Sequence, residues 1–217
     1  MTELLQIGGW SLAQIALLLE AVAHDRNQVT DPSTLFDLVL SGPDVPGIPT
    51  ADTAAVTHTL IEEATSEVLL VSYAVHNGQR IFERLAARMQ EIPSLRVVLC
   101  LDIPRKYTET TPAEEIVHRY AGEFRQKHWP WPQPPELYYD PRSLSEEMEQ
   151  RSSLHAKCVV VDRRVALVTS ANLTEAARRR NIEAGVIVRY QPFVERLAGY
   201  FEGLRSTGQL AACRFQE

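Results

Sequence analysis

From residue 52 onward the chain alternates between two hydrophobic periods, and that alternation restricts its fold more than any other feature. Apolar residues recur at helical spacing to about residue 64, form a compact run over 68–75, return to helical spacing over 79–90 and form a second run over 95–101. Each run is rich in Val and Leu and too short for a buried helix, whereas each periodic stretch is long enough to cross back over a sheet. Such a repeat predicts an α/β sandwich around a mixed β-sheet. A third helix is announced by Thr111-Pro112-Ala113-Glu114, which offers an N-cap, a first-turn proline and a capping-box glutamate. Ile116, Val117, Tyr120 and Phe124 form its expected buried face.

Downstream, a short strand is expected over 137–139, another strand over 183–189, and a final helix that turns Phe193, Val194, Leu197, Phe201 and Leu204 inward. Upstream, Ser11 and Gln14 can form a capping box for a helix carrying Leu12, Ile15, Ala16, Leu19 and Val22. A second short helix is expected over 32–40. The breaker-rich Gly42-Pro-Asp-Val-Pro-Gly-Ile-Pro49 then marks a boundary, with an N-terminal helical segment and connector at 1–50 and the main domain at 51–217. Trp129-Pro-Trp131-Pro-Gln-Pro-Pro135 interrupts the pattern; it reads as a polyproline-like connector with its tryptophans tucked against the core, the competing reading being an exposed stacking platform.

The chemistry is concentrated in residues 155–174. Two apolar runs, 158–161 and 165–169, flank Asp162-Arg163-Arg164 and so predict a hairpin. His155 and Lys157 precede it on one strand face, and Ser170-Ala171-Asn172 follow it. His-x-Lys-x4-Asp arises by chance only about three times in a thousand on this composition. The chain has three lysines against nineteen arginines, so a lysine leading an apolar run is not an ordinary solvated cation. A nucleophile, a cation and polar donors together suit phosphoryl transfer. Asn172 can serve as a donor or as the cap of a following helix, and Asp162 as a supporting residue or a plain turn residue.

His155, Lys157, Asp162, Ser170, Asn172 and the later Asn181-Ile-Glu183 resemble the HKD signature of the phospholipase D superfamily, and the likeness runs over the whole chain. The resemblance implies a phospholipase-D-like sandwich and a phosphodiesterase. In that scheme His155 is the nucleophile and forms a phosphohistidine, while Lys157, Ser170 and Asn172 bind the phosphate. Glu183 accepts a hydrogen bond from the histidine's other ring nitrogen, and Asp162 supports the site. No metal or other cofactor is required, since lysine and polar donors neutralise the charge. Thr169 stands where the family usually has glycine; a β-branched residue resists positive φ, so phosphate approach to that backbone is expected to differ.

The superfamily reaction uses two histidines, and this chain has one motif. The resemblance therefore implies a homodimer that shares one active site, with His76 as the intramolecular substitute. Small single-motif members without membrane anchors are typically nucleases, which makes nucleic acid the expected substrate. Phospholipid hydrolysis and a non-catalytic accessory role are the alternatives. More narrowly, Gly42–Gly47, Val71-Ser-Tyr73, Tyr138–Arg142 and Ser153–Asp162 resemble the phospholipase-D-like component of DISARM, a bacterial anti-phage defence system, which implies other defence subunits as partners.

Charge and cysteine content bear on these readings. The formal net charge of −6 argues against broad non-specific nucleic-acid binding, yet Arg163, Arg164, Arg178, Arg179, Arg180 and Arg189 cluster around the motif. Cys100, Cys158 and Cys213 are scattered, with no zinc-like spacing, and read as reduced thiols. The apolar stretch over 12–22 is broken by Gln14 and Glu20 and preceded by no basic segment. The expectation is a soluble cytoplasmic protein with no integral membrane association.

Overall fold

The computed structural model describes residues 9–28, 31–172 and 181–215, and the chain divides into two compact units, Met1–Leu35 and Phe36–Glu217. In the first unit, α1 (Leu12–Gln28) is followed by the single turn α2 (Pro32–Leu35). The capping box at the start of α1 forms as its spacing predicts: Ser11 N donates to Gln14 Oε1 at 2.8 Å and Gln14 N to Ser11 Oγ at 3.3 Å.

The second unit is built on one eight-stranded sheet. Its strands are β1 (Phe36–Ser41), β2 (Glu67–Ser72), β3 (Arg96–Leu101), β4 (Glu136–Tyr139), β5 (Cys158–Val161), β6 (Val165–Thr169), β7 (Glu183–Val188) and β8 (Ala211–Ala212), in the spatial order β1-β7-β6-β5-β2-β3-β4-β8. β2, β3 and β4 run parallel, and every other neighbouring pair is antiparallel. This is the mixed sheet expected from the alternating pattern.

The helices divide unequally between the two faces. α3 (Thr53–Glu62), α4 (Gly78–Glu91) and α5 (Ala113–Lys127) bury Leu60, Ile61, Phe82, Leu85, Ile116 and Phe124 against Val68, Leu70, Val97, Leu99 and Leu167. The alternate residues of the same strands, Leu69, Val98, Cys100, Val160 and Ala166, meet α6 (Gln191–Ser206) through Val194, Ala198 and Phe201. The strands are buried on both faces, which is why they read as continuous apolar runs. Burial also pushes the thiols of Cys100 and Cys158 up to about 12, so both stay protonated and chemically quiet.

Three local expectations are corrected. Residues 36–41 are not helical: they form β1, an edge strand paired with β7 from Phe36 opposite Val188 to Ser41 opposite Glu183, so a distant partner overrides local propensity. Thr111 does not cap α5; the cap position is Pro112, without a side-chain bond, and Glu114 and Glu115 complement the helix end by charge alone. Phe193 lies 42 % exposed on α6, and Ala198 takes the buried place. The proline-rich segment is a connector: Trp129 is fully buried, its Nε1 donates to Gln133 O at 2.8 Å, and Arg125 Nη1 binds the carbonyls of Trp129 and Trp131 at 2.7 and 2.6 Å. No helix among the described residues is long and apolar enough to cross a membrane.

Candidate active site

The parallel strands β2, β3 and β4 end on the same side of the sheet, and β5 begins there, because it runs antiparallel to β2. That end is where α/β sheets present their sites. Tyr73 follows β2, Asp102 follows β3, Asp140 follows β4, and His155 and Lys157 lead into β5. The β6–β7 pair brings Ser170 and Glu183 to the same edge, where Ser170 N donates to Ala184 O at 3.0 Å and Ala184 N to Ser170 Oγ at 3.1 Å.

His155 is exposed, whereas Lys157 is only 8 % exposed. The Lys157 ammonium lies 3.1 Å from Nδ1 and 3.3 Å from Nε2 of His155 and donates to the His155 carbonyl at 2.7 Å. Burial lowers the lysine below its ordinary range, and Glu183 opposes that by charge. The site thus holds a partly desolvated cation beside an accessible imidazole. Tyr73, which the sequence reading did not single out for the site, packs its ring 4.8 Å from the His155 ring and 5.5 Å from Lys157 Nζ.

Glu183 sits close to Lys157, but its oxygens are taken by Ser170 Oγ and by Asn181 Nδ2, the latter at 3.0 Å. The hydrogen bond expected between Glu183 and His155 is not formed; Glu183 orders the Ser170 turn and balances Lys157 instead. Asn172 is half-buried, lines one pocket with Lys157, and has its Oδ1 without a hydrogen-bond partner. Its competing role as a helix cap concerns residues outside those described, as do Arg178, Arg179 and Arg180.

Asp162 is not at the site. It lies at the far end of β5, about 16 Å along the strand from Lys157 at 3.3 Å per residue. There its carboxylate accepts five hydrogen bonds, from N and Oγ1 of Thr65, N and Oγ of Ser66, and N of Glu67, all at 2.7–2.9 Å. Asp162 and Arg163 have φ of 51° and 53°, left-handed at both central residues of the tight turn that Arg164 N closes by donating to Val161 O at 3.0 Å, within a three-residue connection from β5 to β6. His76 lies on the turn before α4, where its charge is felt by His128, and no contact joins it to His155 among the described residues.

Thr169 does not have positive φ. It faces Gly185 across the β6–β7 pair, and a Cβ at Gly185 would lie 3.0 Å from Thr169 Cβ and 2.9 Å from Val168 O. Thr169 Oγ1 accepts from Ala171 N at 3.1 Å and shapes the turn that carries Ser170. Asp102 carries a sequence signal of its own, an acid that closes the apolar run of β3.

Comparison with known proteins bears on the whole of this arrangement. The family described as cardiolipin synthase, PLD-like domain, matches residues 58–205. Nuc from Salmonella typhimurium, a phospholipase D family member, has a similar structure at 18 % identity and a TM-score of 0.52, covering 82 % of this chain and 97 % of its own. NucT from Helicobacter pylori is similar at 12 % identity and a TM-score of 0.55, over 83 % of this chain and 99 % of its own. The phosphatidylserine synthase of Haemophilus influenzae matches 78 % of this chain with 37 % of its own, at 18 % identity and a TM-score of 0.54. No curated protein sequence matches the chain. At these identities the likeness to solved structures is one of fold.

Proposed function

The chain belongs to the cardiolipin synthase, PLD-like domain family, and from that premise we propose that it is a metal-independent phosphodiesterase acting on nucleic acid. The observation that carries this reading is the pairing of exposed His155 with buried Lys157, whose ammonium lies within 3.3 Å of both ring nitrogens. A non-bridging phosphate oxygen bound to Lys157, with Ser170 and Asn172 beside it, sets phosphorus against the imidazole. A ring nitrogen of neutral His155 attacks; the N–P bond forms as the P–O bond to the leaving alkoxide breaks, and water later releases the phosphate from the phosphohistidine. Charge neutralisation falls to Lys157 and the polar cradle.

The leaving alkoxide needs a proton. A two-fold homodimer that brings a second His155 to a shared site supplies it, and His76 is placed elsewhere. Exposed Tyr73 and Tyr107, on loops leaving the site end of the sheet, suit base stacking along a strand. Of the Trp129/Trp131 segment that would support a lipid-facing rim, Trp129 is fully buried and Trp131 is half-buried against the core, which weighs against the phospholipid alternative. The sequence resemblance noted above supports a cytoplasmic role in anti-phage defence with other defence subunits; in that setting the chain acts as the nuclease of its complex rather than as a silent accessory.

The test is hydrolysis of labelled single- and double-stranded DNA and RNA in excess EDTA, with His155→Ala prepared alongside. Cleavage by the wild type, lost in the variant, is expected. Cleavage that EDTA abolishes and magnesium restores sinks the mechanism.

A further inference from the structure

Glu183 does not bond to the imidazole, which raises the question of which carboxylate serves His155. Asp102 is 5 % exposed, directly follows β3, and accepts the Leu154 N–H on Oδ1 at 2.8 Å. Leu154 is the residue immediately before His155, so this bond fixes the main chain from which the nucleophile projects. Asp140 lies nearby at 3 % exposure but is committed elsewhere: Arg142 binds both its oxygens at 2.7–3.1 Å, and Ser152 Oγ donates at 2.8 Å. No cation bonds to Asp102 among the described residues.

We propose that Asp102 is the positioning residue of His155, holding its backbone through Leu154 and stabilising the positive charge the imidazole acquires as it attacks phosphorus. The inference rests on His155 being the nucleophile. Among the described residues, the other charged and titratable groups facing this region include Lys157 on the same segment, Glu183 on β7, Tyr73 beyond β2, the Asp140–Arg142 pair beyond β4 and Tyr120 on α5. Lys157 disfavours positive charge on the ring beside it; Asp102, working through a poorly solvated interior, offsets that. Burial, and to a smaller extent the charge of Asp140, raise the Asp102 carboxyl above the ordinary aspartate range, and the Leu154 N–H and the charge of His155 act against that rise in favour of the carboxylate.

Phosphoramidate tests the idea without any diester. A ring nitrogen of His155 attacks phosphorus, the N–P bond forms, the bond to ammonia breaks and ammonia departs, and the imidazole proton passes to solvent. Labelling at His155 is followed by mass spectrometry from about pH 5 to 9, a window that spans imidazole titration. Asp102→Asn keeps an oxygen for Leu154 and loses only the charge; Asp102→Ala loses both. Labelling is expected to slow about tenfold in Asp102→Asn, with its acid limb moved to lower pH and its melting temperature near that of the wild type, and to slow further in Asp102→Ala. A wild-type rate and profile in Asp102→Asn overturn the proposal and leave Asp102 a loop tether. Should that variant fail to fold, Asp102→Glu replaces it; the charge is kept, so an unmoved acid limb is expected and a displaced one overturns the proposal. Wild-type protein that does not label overturns this inference and the proposed nucleophile together, whereas labelling without cleavage of any nucleic acid overturns the proposed nuclease alone.

Discussion

Lys157 and Asp162 belong to one sequence motif, yet they serve different ends of the same strand. Lys157 is held with little solvent against the His155 ring, so its charge is poised for an anion. Lys157→Met is expected to lower kcat by about 10²–10³-fold on a minimal diester, the usual cost of removing a charge-stabilising donor. Lys157→Arg is expected to restore little, because a planar fork does not fit where a single ammonium touches both the ring and the His155 carbonyl. Asp162 is a stability residue. Burial alone would raise its carboxyl, but the bonds from Glu67, Thr65 and Ser66 outweigh that and hold it well below the ordinary range. Its contribution is therefore complete above the unfolded aspartate value of about 3.9 and is lost as pH falls through the depressed folded value. Asp162→Ala should cost about 2–3 kcal/mol in urea unfolding at neutral pH and leave hydrolysis within a few-fold; a large loss of kcat at full stability would contradict the assignment. The proximity of His155 and Lys157 could be read from the sequence because they stand two residues apart in the segment that leads into β5. It could not divide the labour between Lys157 and Asp162, since a turn aspartate and a catalytic one are the same letter.

Among the secondary-structure elements, the β6–β7 pair carries the departure that mattered most in the sequence. Thr169 is accommodated because Gly185 opposite it has no side chain. Gly185→Ala is expected to cost about 1–3 kcal/mol by overpacking, with part of that cost relieved in the Thr169→Gly background; a double-mutant cycle by thermal unfolding measures the coupling. Thr169→Gly alone should leave hydrolysis near wild type, and a large gain would show a site held back by its threonine. β2, β3, β5 and β6 were legible because strands buried on both faces write unbroken apolar runs. β1 was not, because Leu38, Val39 and Leu40 suit a helix equally well and only β7 settles the matter. Tyr73 and Asp102 are not legible as neighbours of His155 for a related reason: each is one residue past the end of a strand, and only the sheet order brings them to that end.

For the molecule as a whole, the proposed second histidine predicts assembly. Light scattering should find a dimer, and mixing wild type with excess His155→Ala to equilibrium should lower activity below that expected from dilution, because mixed pairs hold one histidine at the shared site; full activity in a monomer would falsify the arrangement. Helix-on-sheet layering could be read from alternation alone, whereas the sheet order could not, since β1 at the start of this unit closes onto β7 near its end. That closure has a consequence in time. β7 carries Glu183 and zips between β1 and β6, so residues more than a hundred positions apart must meet before the site is complete. Contacts of such long reach form late and slowly. On a chain emerging from the ribosome, the surroundings of His155 therefore stay incomplete until β7 has followed, and the order of folding postpones whatever chemistry the proposed nucleophile performs without any inhibitor.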